Sequence, residues 1–260
     1  MKSTSVITAM LAVPAVMGCP RHGEVIRPKP SMVVPVIVST ATPNPEPIPV
    51  SALASSSALS GSSAVTGTST YYGGNLNGGT CSFATYTLPS GVYGTAFSGS
   101  KWDSAAHCGA CVKVTANKKS IIAMIVDQCP ECDEGHLDLF QNAFSVLEPL
   151  SSGQVATSYT FVDCPISSPL ILHNKSGTSP YWFSMQVVNA NEPVSRLEVS
   201  TDGGSTWKST TRRDYNFFEN PSGFGTATVT VRVTSTSGST VVVKNVSVAS
   251  DSQVAASSNF

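Results

Sequence analysis

The sequence predicts a mainly all-β protein: a compact, disulfide-stapled β-barrel with one or two short helices, followed by a β-sandwich. Three observations predict it. Six of the seven cysteines lie between Cys81 and Cys164. That region is Gly-rich and reads as short strands and turns around one helical period. From about Ser167 onward cysteine disappears and apolar residues recur in steps of two, as half-buried strands require.

The elements can be justified in chain order. Residues 1–18 read as a secretory signal peptide: Lys2, the apolar stretch Val6 to Val13, then Pro14 and small residues up to Gly18. Val16-Met17-Gly18-Cys19 also loosely resembles a bacterial lipoprotein box. Residues 19–66 read as a disordered linker, with Pro43, Pro45, Pro47 and Pro49 alternating ahead of a Ser/Ala run. The cysteine-bearing domain spans 67–165. Within it the apolar run Ser120 to Val126 suits a strand buried on both faces. Phe140, Ala143, Phe144 and Leu147 mark one side of a short helix. The second domain spans 166–250. There Val229, Val231 and Val233 alternate with Thr228, Thr230 and Arg232, Val241 and Val243 repeat the period, and Asp202-Gly203-Gly204 marks a hairpin turn. Residues 251–260 read as a disordered tail.

Charge excludes some partners. Fifteen basic and sixteen acidic residues leave a net charge of −1, and no Lys/Arg cluster offers a nucleic-acid footprint. Mean hydropathy is +0.08, and no apolar run approaches the ~20 residues of a membrane span. Only 12% of residues are charged, and none lies between Glu46 and Lys101. Six cysteines allow fifteen connectivities. Cys108-x-x-Cys111 and Cys129-x-x-Cys132 also have zinc-ligand spacing, but in an exported chain disulfides are the expected use.

Two positions carry chemistry. Asp138 is followed by Asp138-x-x-Gln141, a helix-capping pattern. It also lies among Asp127, Glu131, Asp133 and Glu134, which would raise its pKa and suit it to protonate a glycosidic oxygen. In Trp182-Phe183-Ser184-Met185-Gln186-Val187, alternation puts Trp182 with Ser184 and Gln186 on the polar face, opposite a core face of Phe183, Met185 and Val187. A large ring on a polar face suits stacking on a pyranose. Trp207 and Phe217 read as core. Asn174-Lys175-Ser176 and Asn245-Val246-Ser247 are glycosylation sequons.

Several strings resemble one family. Gly67 to Gly74 (GTSTYYGG), His107 to Val114 (HCGACVKV), Asp127 to Cys132 (DQCPEC) with Gly135 to Leu139 (GHLDL), Tyr181 to Val187 (YWFSMQV) and Asp214 to Phe217 (DYNF) resemble, in order, a microbial expansin-like protein of fungal type. The resemblance implies a six-stranded double-psi β-barrel related to family-45 endoglucanases, then an immunoglobulin-like cellulose-binding sandwich. It implies the pairs Cys81–Cys108, Cys111–Cys164 and Cys129–Cys132. It places Thr70, Tyr71, Asp127 and Asp138 in a polysaccharide groove, and Tyr181, Trp182 and Tyr215, beside Lys175, on a cellulose platform. The residue two after Asp127 is Cys129 where bacterial members carry Tyr.

The endoglucanase base would follow the opening Tyr-Trp, where this chain has Gly73; Asp103 is the nearby alternative. The expected function is therefore secreted, non-hydrolytic wall loosening by a monomer that binds cellulose and other β-glucans, without metal or organic cofactor. The alternatives are a weak endoglucanase or lytic transglycosylase using Asp138 as acid, and a barwin-like binding or effector protein.

Overall fold

The structure is a computed structural model that describes residues 63–260. The signal peptide, Cys19 and nearly all of the linker lie outside the described residues.

Six strands close a barrel: β1 (Val65–Tyr72), β2 (Val92–Ser98), β3 (Cys111–Ala116), β4 (Lys119–Cys129), β5 (Leu137–Phe140) and β6 (Val155–Val162), in the order β1-β5-β2-β4-β3-β6. β1 with β5 and β2 with β4 are parallel pairs in an otherwise antiparallel barrel. The apolar run expected as a two-face-buried strand is the centre of β4, where Ile121, Ala123, Met124, Ile125 and Val126 are all buried. Helix α1 (Gln141–Leu147) buries Ala143, Phe144 and Leu147 against the barrel.

The helix starts later than a cap at Asp138 would require. Its N-terminal flank is Phe140, with no side-chain cap, because residues 137–140 are held as β5 between β1 and β2. Asp138 is thereby freed from helix capping. The barrel holds the disulfides Cys81–Cys108, Cys111–Cys164 and Cys129–Cys132, so the CxxC pairs hold no zinc.

The sandwich has two sheets. One contains β9 (Val194–Ser200), β10 (Lys208–Ser209), β13 (Thr228–Ser235) and β14 (Thr240–Ser247). The other contains β7 (Ile171–Asn174), β8 (Phe183–Val188), β11 (Thr211–Arg212), β12 (Phe218–Asn220) and β15 (Gln253–Ala255). β15 corrects the expected frayed tail. Those polar residues pair antiparallel with β7, the Ala256 amide donates to the Leu170 carbonyl, and Phe260 packs against the sandwich core. Phe217 is buried as expected. Trp207 is only half-buried, with the Arg232 guanidinium 4.3 Å over its ring.

The seam between barrel and sandwich is polar and buried. Gln186 and Asn216 both donate to the Cys81 carbonyl, at 2.8 and 3.2 Å. Trp102 Nε1 donates to the Asp214 carbonyl, and Tyr86 Oη to Asn189 Oδ1. Arg212 donates to the carbonyls of Ala106 and Val194 and stacks on Phe218. Burial draws its guanidinium down to about 10, with the Asp103 charge opposing.

One close approach sets the register of β1 with β5. A Cβ on Gly67 would lie 2.2 Å from the Gly135 carbonyl oxygen, and Gly135 itself has φ +88°. The two backbones touch, which lets residues 136–138 run alongside β1. Gly67→Ala is expected to cost about 1–3 kcal/mol by overpacking. Gly73→Ala, with open space around its Cβ, should stay within about 0.5 kcal/mol of wild type. Urea unfolding of both variants checks this.

Candidate functional site

The residues expected to line a groove, Tyr71 excepted, lie on the outer face of β1, β5, β2 and β4. Register places Thr70 beside Asp138 and Tyr72 beside Phe140, then Ala96 beside both Asp138 and Asp127. Ala96 and Gly94 are buried there, Ala96 packed with Tyr72 and the Cys129–Cys132 disulfide and Gly94 beneath the Phe140 ring.

Thr70 and Asp138 form one hydrogen-bonded chain. The Thr70 hydroxyl donates to Asp138 Oδ1 at 2.5 Å, so its oxygen accepts from His136 Nε2 at 2.9 Å. His136 therefore belongs to the same cluster. Burial pushes the Asp138 carboxyl above its ordinary value. The Thr70 hydrogen bond and the His136 charge oppose this, while Glu131 and Asp127 add to it.

Asp127 is occupied. Its Oδ1 accepts from the Thr80 and Gln128 amides at 2.7 and 2.8 Å, and its Oδ2 accepts from Tyr72 Oη at 3.2 Å. It fastens the loop leading to Cys81.

Tyr71 does not join the groove, which corrects the expectation. Its ring packs on Phe144, with centroids 4.9 Å apart, and its hydroxyl donates to the Leu150 carbonyl. Strand alternation gives the groove Thr70 and Tyr72 instead. Tyr72 packs beside the Cys129–Cys132 disulfide, so a ring from β1 stands next to the position where no aromatic follows Asp127. Burial and then the Asp127 charge push its phenol well above the ordinary tyrosine range. Asp103, the alternative base, sits in an exposed loop with φ +45°. Its charge acts on His107 and Arg212; the carboxylates acting on Asp138 are Glu131 and Asp127.

The second site lies on β8 and its flanks. Ser179 and Trp182 close a tight turn that presents Tyr181 at 80% exposure. The turn is pinned from behind: the Phe224 and Gly225 amides both donate to the Pro180 carbonyl, and a Cβ on Gly223 would sit 2.1 Å from that oxygen. Tyr215 is 37% exposed, and its hydroxyl donates to the buried Glu219 at 2.5 Å. Glu219 also accepts from Ser184 and Arg213. Burial, then the hydrogen bond to Glu219, pushes the Tyr215 phenol up to about 12. Lys175 Nζ lies 5.8 Å from the Tyr215 ring centre and 5.7 Å from that of Phe217.

Alternation along β8 is as read, but its polar face is not free. Ser184 and Gln186 are fully buried, the first at Glu219 and the second under the Cys81 loop of the barrel. Only Trp182, half-buried, and Tyr181 emerge beyond that cover. Asn174 is also inside: its amide donates to the Ser247 and Ala249 carbonyls and to Ser252, and the residue is 1% exposed. The folded protein has no room for a glycan there. Asn245 is exposed on β14. Among the described residues no His/Cys/Asp/Glu group has the arrangement of a metal site.

A profile of the Barwin family matches residues 85–164. Expansin-like protein 5 of Dictyostelium discoideum is 31% identical over 191 residues, covering 70% of this chain and 79% of that protein. The chain belongs to the expansin family. Expansin-YoaJ of Bacillus subtilis (strain 168) is 30% identical over 177 residues, 66% of this chain and 74% of the relative. The crystal structure of the apo Clavibacter michiganensis expansin aligns with a TM-score of 0.69 at 31% identity, over 76% of this chain and 98% of that one. A mutant of the same bacterial expansin, solved in complex with cellohexaose, aligns equally well.

The raised Asp138 pKa predicts a pH dependence. The folded state holds this proton more tightly than the unfolded state, so stability falls as pH rises from the ordinary aspartate range through the raised value. Asp138→Asn removes that slope. Its melting temperature should match wild type in acid and exceed it at neutral pH, as thermal unfolding across pH would read.

Proposed function

We propose that this expansin-family protein is a secreted, non-hydrolytic wall-loosening protein that binds cellulose and related β-glucans. The observation carrying the reading is the line of residues along one face of β8. Tyr181 and Trp182 lead to Ser184, where Tyr215 is tied through Glu219, then to Gln186, which meets Cys81. Cys81 follows Thr80, whose amide holds Asp127 in the groove. Trp182 to Gln186 spans about 13 Å of strand at ~3.3 Å per residue, so platform and groove are neighbours on one body. Flat rings facing solvent suit a flat polymer, and covering their faces contributes ~25 cal/mol per Å² of apolar area.

The groove binds and polarises but lacks a free base for inverting hydrolysis. Asp127 takes three hydrogen bonds, and Asp103 acts elsewhere. The Thr70–Asp138 pair can exchange hydrogen bonds with glucan hydroxyls, competing with the lateral bonds between chains. Export is supported by the N-terminal apolar segment and by three disulfides, which persist in oxidising compartments. Asn245 is the sequon accessible to a glycan. The domain limits proposed are 67–165 for the barrel, extended back to Val65 to take in β1, and 166–250 for the sandwich, extended through β15. The protein acts as a monomer.

Depletion by crystalline cellulose and creep of a clamped cell-wall strip test the reading. Trp182→Ala should weaken cellulose binding about tenfold, a loss of ~1.4 kcal/mol, and reduce creep with it. Asp138→Asn should bind cellulose like wild type and lose creep. Unchanged binding by Trp182→Ala would overturn the platform, and unchanged creep by Asp138→Asn would overturn the groove.

A further inference from the structure

We propose that the groove continues past Tyr72 and Phe140 into a further pyranose-binding subsite on the barrel, bounded by Tyr86, Leu88, Tyr93 and Asn142. This rests on reading the groove as a β-glucan site.

Phe140 follows Asp138 on the groove face of β5, and its ring stands edge-on to Tyr72 with centroids 5.6 Å apart. It is wedged between two glycines: a Cβ on Gly74 or on Gly94 would fall 2.4 Å from its ring carbons. The ring is therefore fixed across the end of the groove. An open depression of about 350 Å³ lies on the Tyr72 side. A second, of about 380 Å³, lies on the Tyr93 side. Gly74, Phe140 and Asn142 line both, so the two depressions adjoin across the Phe140 ring. Each falls within the size range of small-ligand clefts. Gly73 has open space around its Cβ and leaves the passage clear.

The lining selects the ligand class. No charged side chain borders either depression, which disfavours a phosphate or a metal ion. Aromatic and leucine side chains supply apolar walls for the C–H faces of a sugar ring. Asn75, Thr87 and Asn142 stand exposed at the rim, where amides and a hydroxyl can meet equatorial hydroxyls. Tyr86 is held in place by its hydrogen bond to Asn189. A neutral, linear glucan already seated at Thr70 and Asp138 would extend its next units here.

The test uses the full chain carrying Tyr181→Ala and Trp182→Ala, which weakens the platform so that barrel binding is read by the position of the shifted amides. Backbone amide NMR shifts are followed during titration with cellotetraose and with cellohexaose, and repeated with Asn142→Trp, which places a ring where the two depressions adjoin from an exposed helix position. The expected result is that cellohexaose shifts amides at Thr70 and Asp138 and also at Thr87, Leu88 and Asn142. Its affinity should exceed that of cellotetraose about fivefold, and Asn142→Trp should abolish this advantage. Shifts confined to Thr70 and Asp138, with equal affinities and no effect of Asn142→Trp, would overturn the subsite and leave the groove standing. No barrel shifts with either sugar would overturn the groove reading itself.

Discussion

The carbonyl oxygen of Cys81 is the point on which the two-part surface depends. It accepts from two buried side-chain amides of the sandwich, Gln186 and Asn216. It is immobilised within the barrel by the Cys81–Cys108 disulfide and by the Cys81 amide donating to the Val126 carbonyl. Each neighbour of this junction leads to a candidate site. Thr80 holds Asp127, Asn216 follows Tyr215, and Gln186 lies on the strand that begins beside Trp182. A buried hydrogen bond contributes only ~0.5–1.5 kcal/mol net, but leaving its partner unsatisfied costs ~1–3 kcal/mol. The junction therefore favours one relative placement of groove and platform over sliding alternatives. Trp102 to Asp214 and Arg212 to Ala106 add two further ties around the same aromatic segment.

The groove shows a division of labour between carboxylates. Asp127 is consumed by structure, with both oxygens engaged by the backbone and Tyr72. Asp138 is half-buried, holds a single side-chain donor and sits above its ordinary pKa. A group whose ionised form is left undersupplied by its surroundings is available to exchange hydrogen bonds with a ligand. In the sandwich, Glu219 has the reverse assignment: three donors engage it, and one of them, the Tyr215 hydroxyl, fixes that ring in place.

Much of the architecture was legible in the sequence. The unbroken apolar run of β4, the valine alternation of β13 and β14, and the helical period of Phe144 and Leu147 each have one physical solution. What escaped depends on contacts between segments distant in the chain. Tyr71 and Tyr72 are alike locally; counting alternation from Thr70 would have chosen Tyr72, but the resemblance drew attention to Tyr71. Asp138 looked like a cap because β5 is only four residues long and its pairing with β1 cannot be seen locally. Gln186 and Ser184 read as a solvent face because polar residues alternate identically whether they meet water or a buried polar seam. Asn174 is a sequon whose amide is spent on β14 and the turn after it, and the polar end of the chain became β15 because β7 offered an open edge.

The central claim is that binding is converted into slippage without bond cleavage. The most direct measurement is reducing-end release from amorphous cellulose and mixed-linkage glucan at saturating protein, with depletion of the protein read in the same tubes. The account predicts depletion with no sustained release above a protein-free blank. Sustained release that disappears in Asp138→Asn would contradict it.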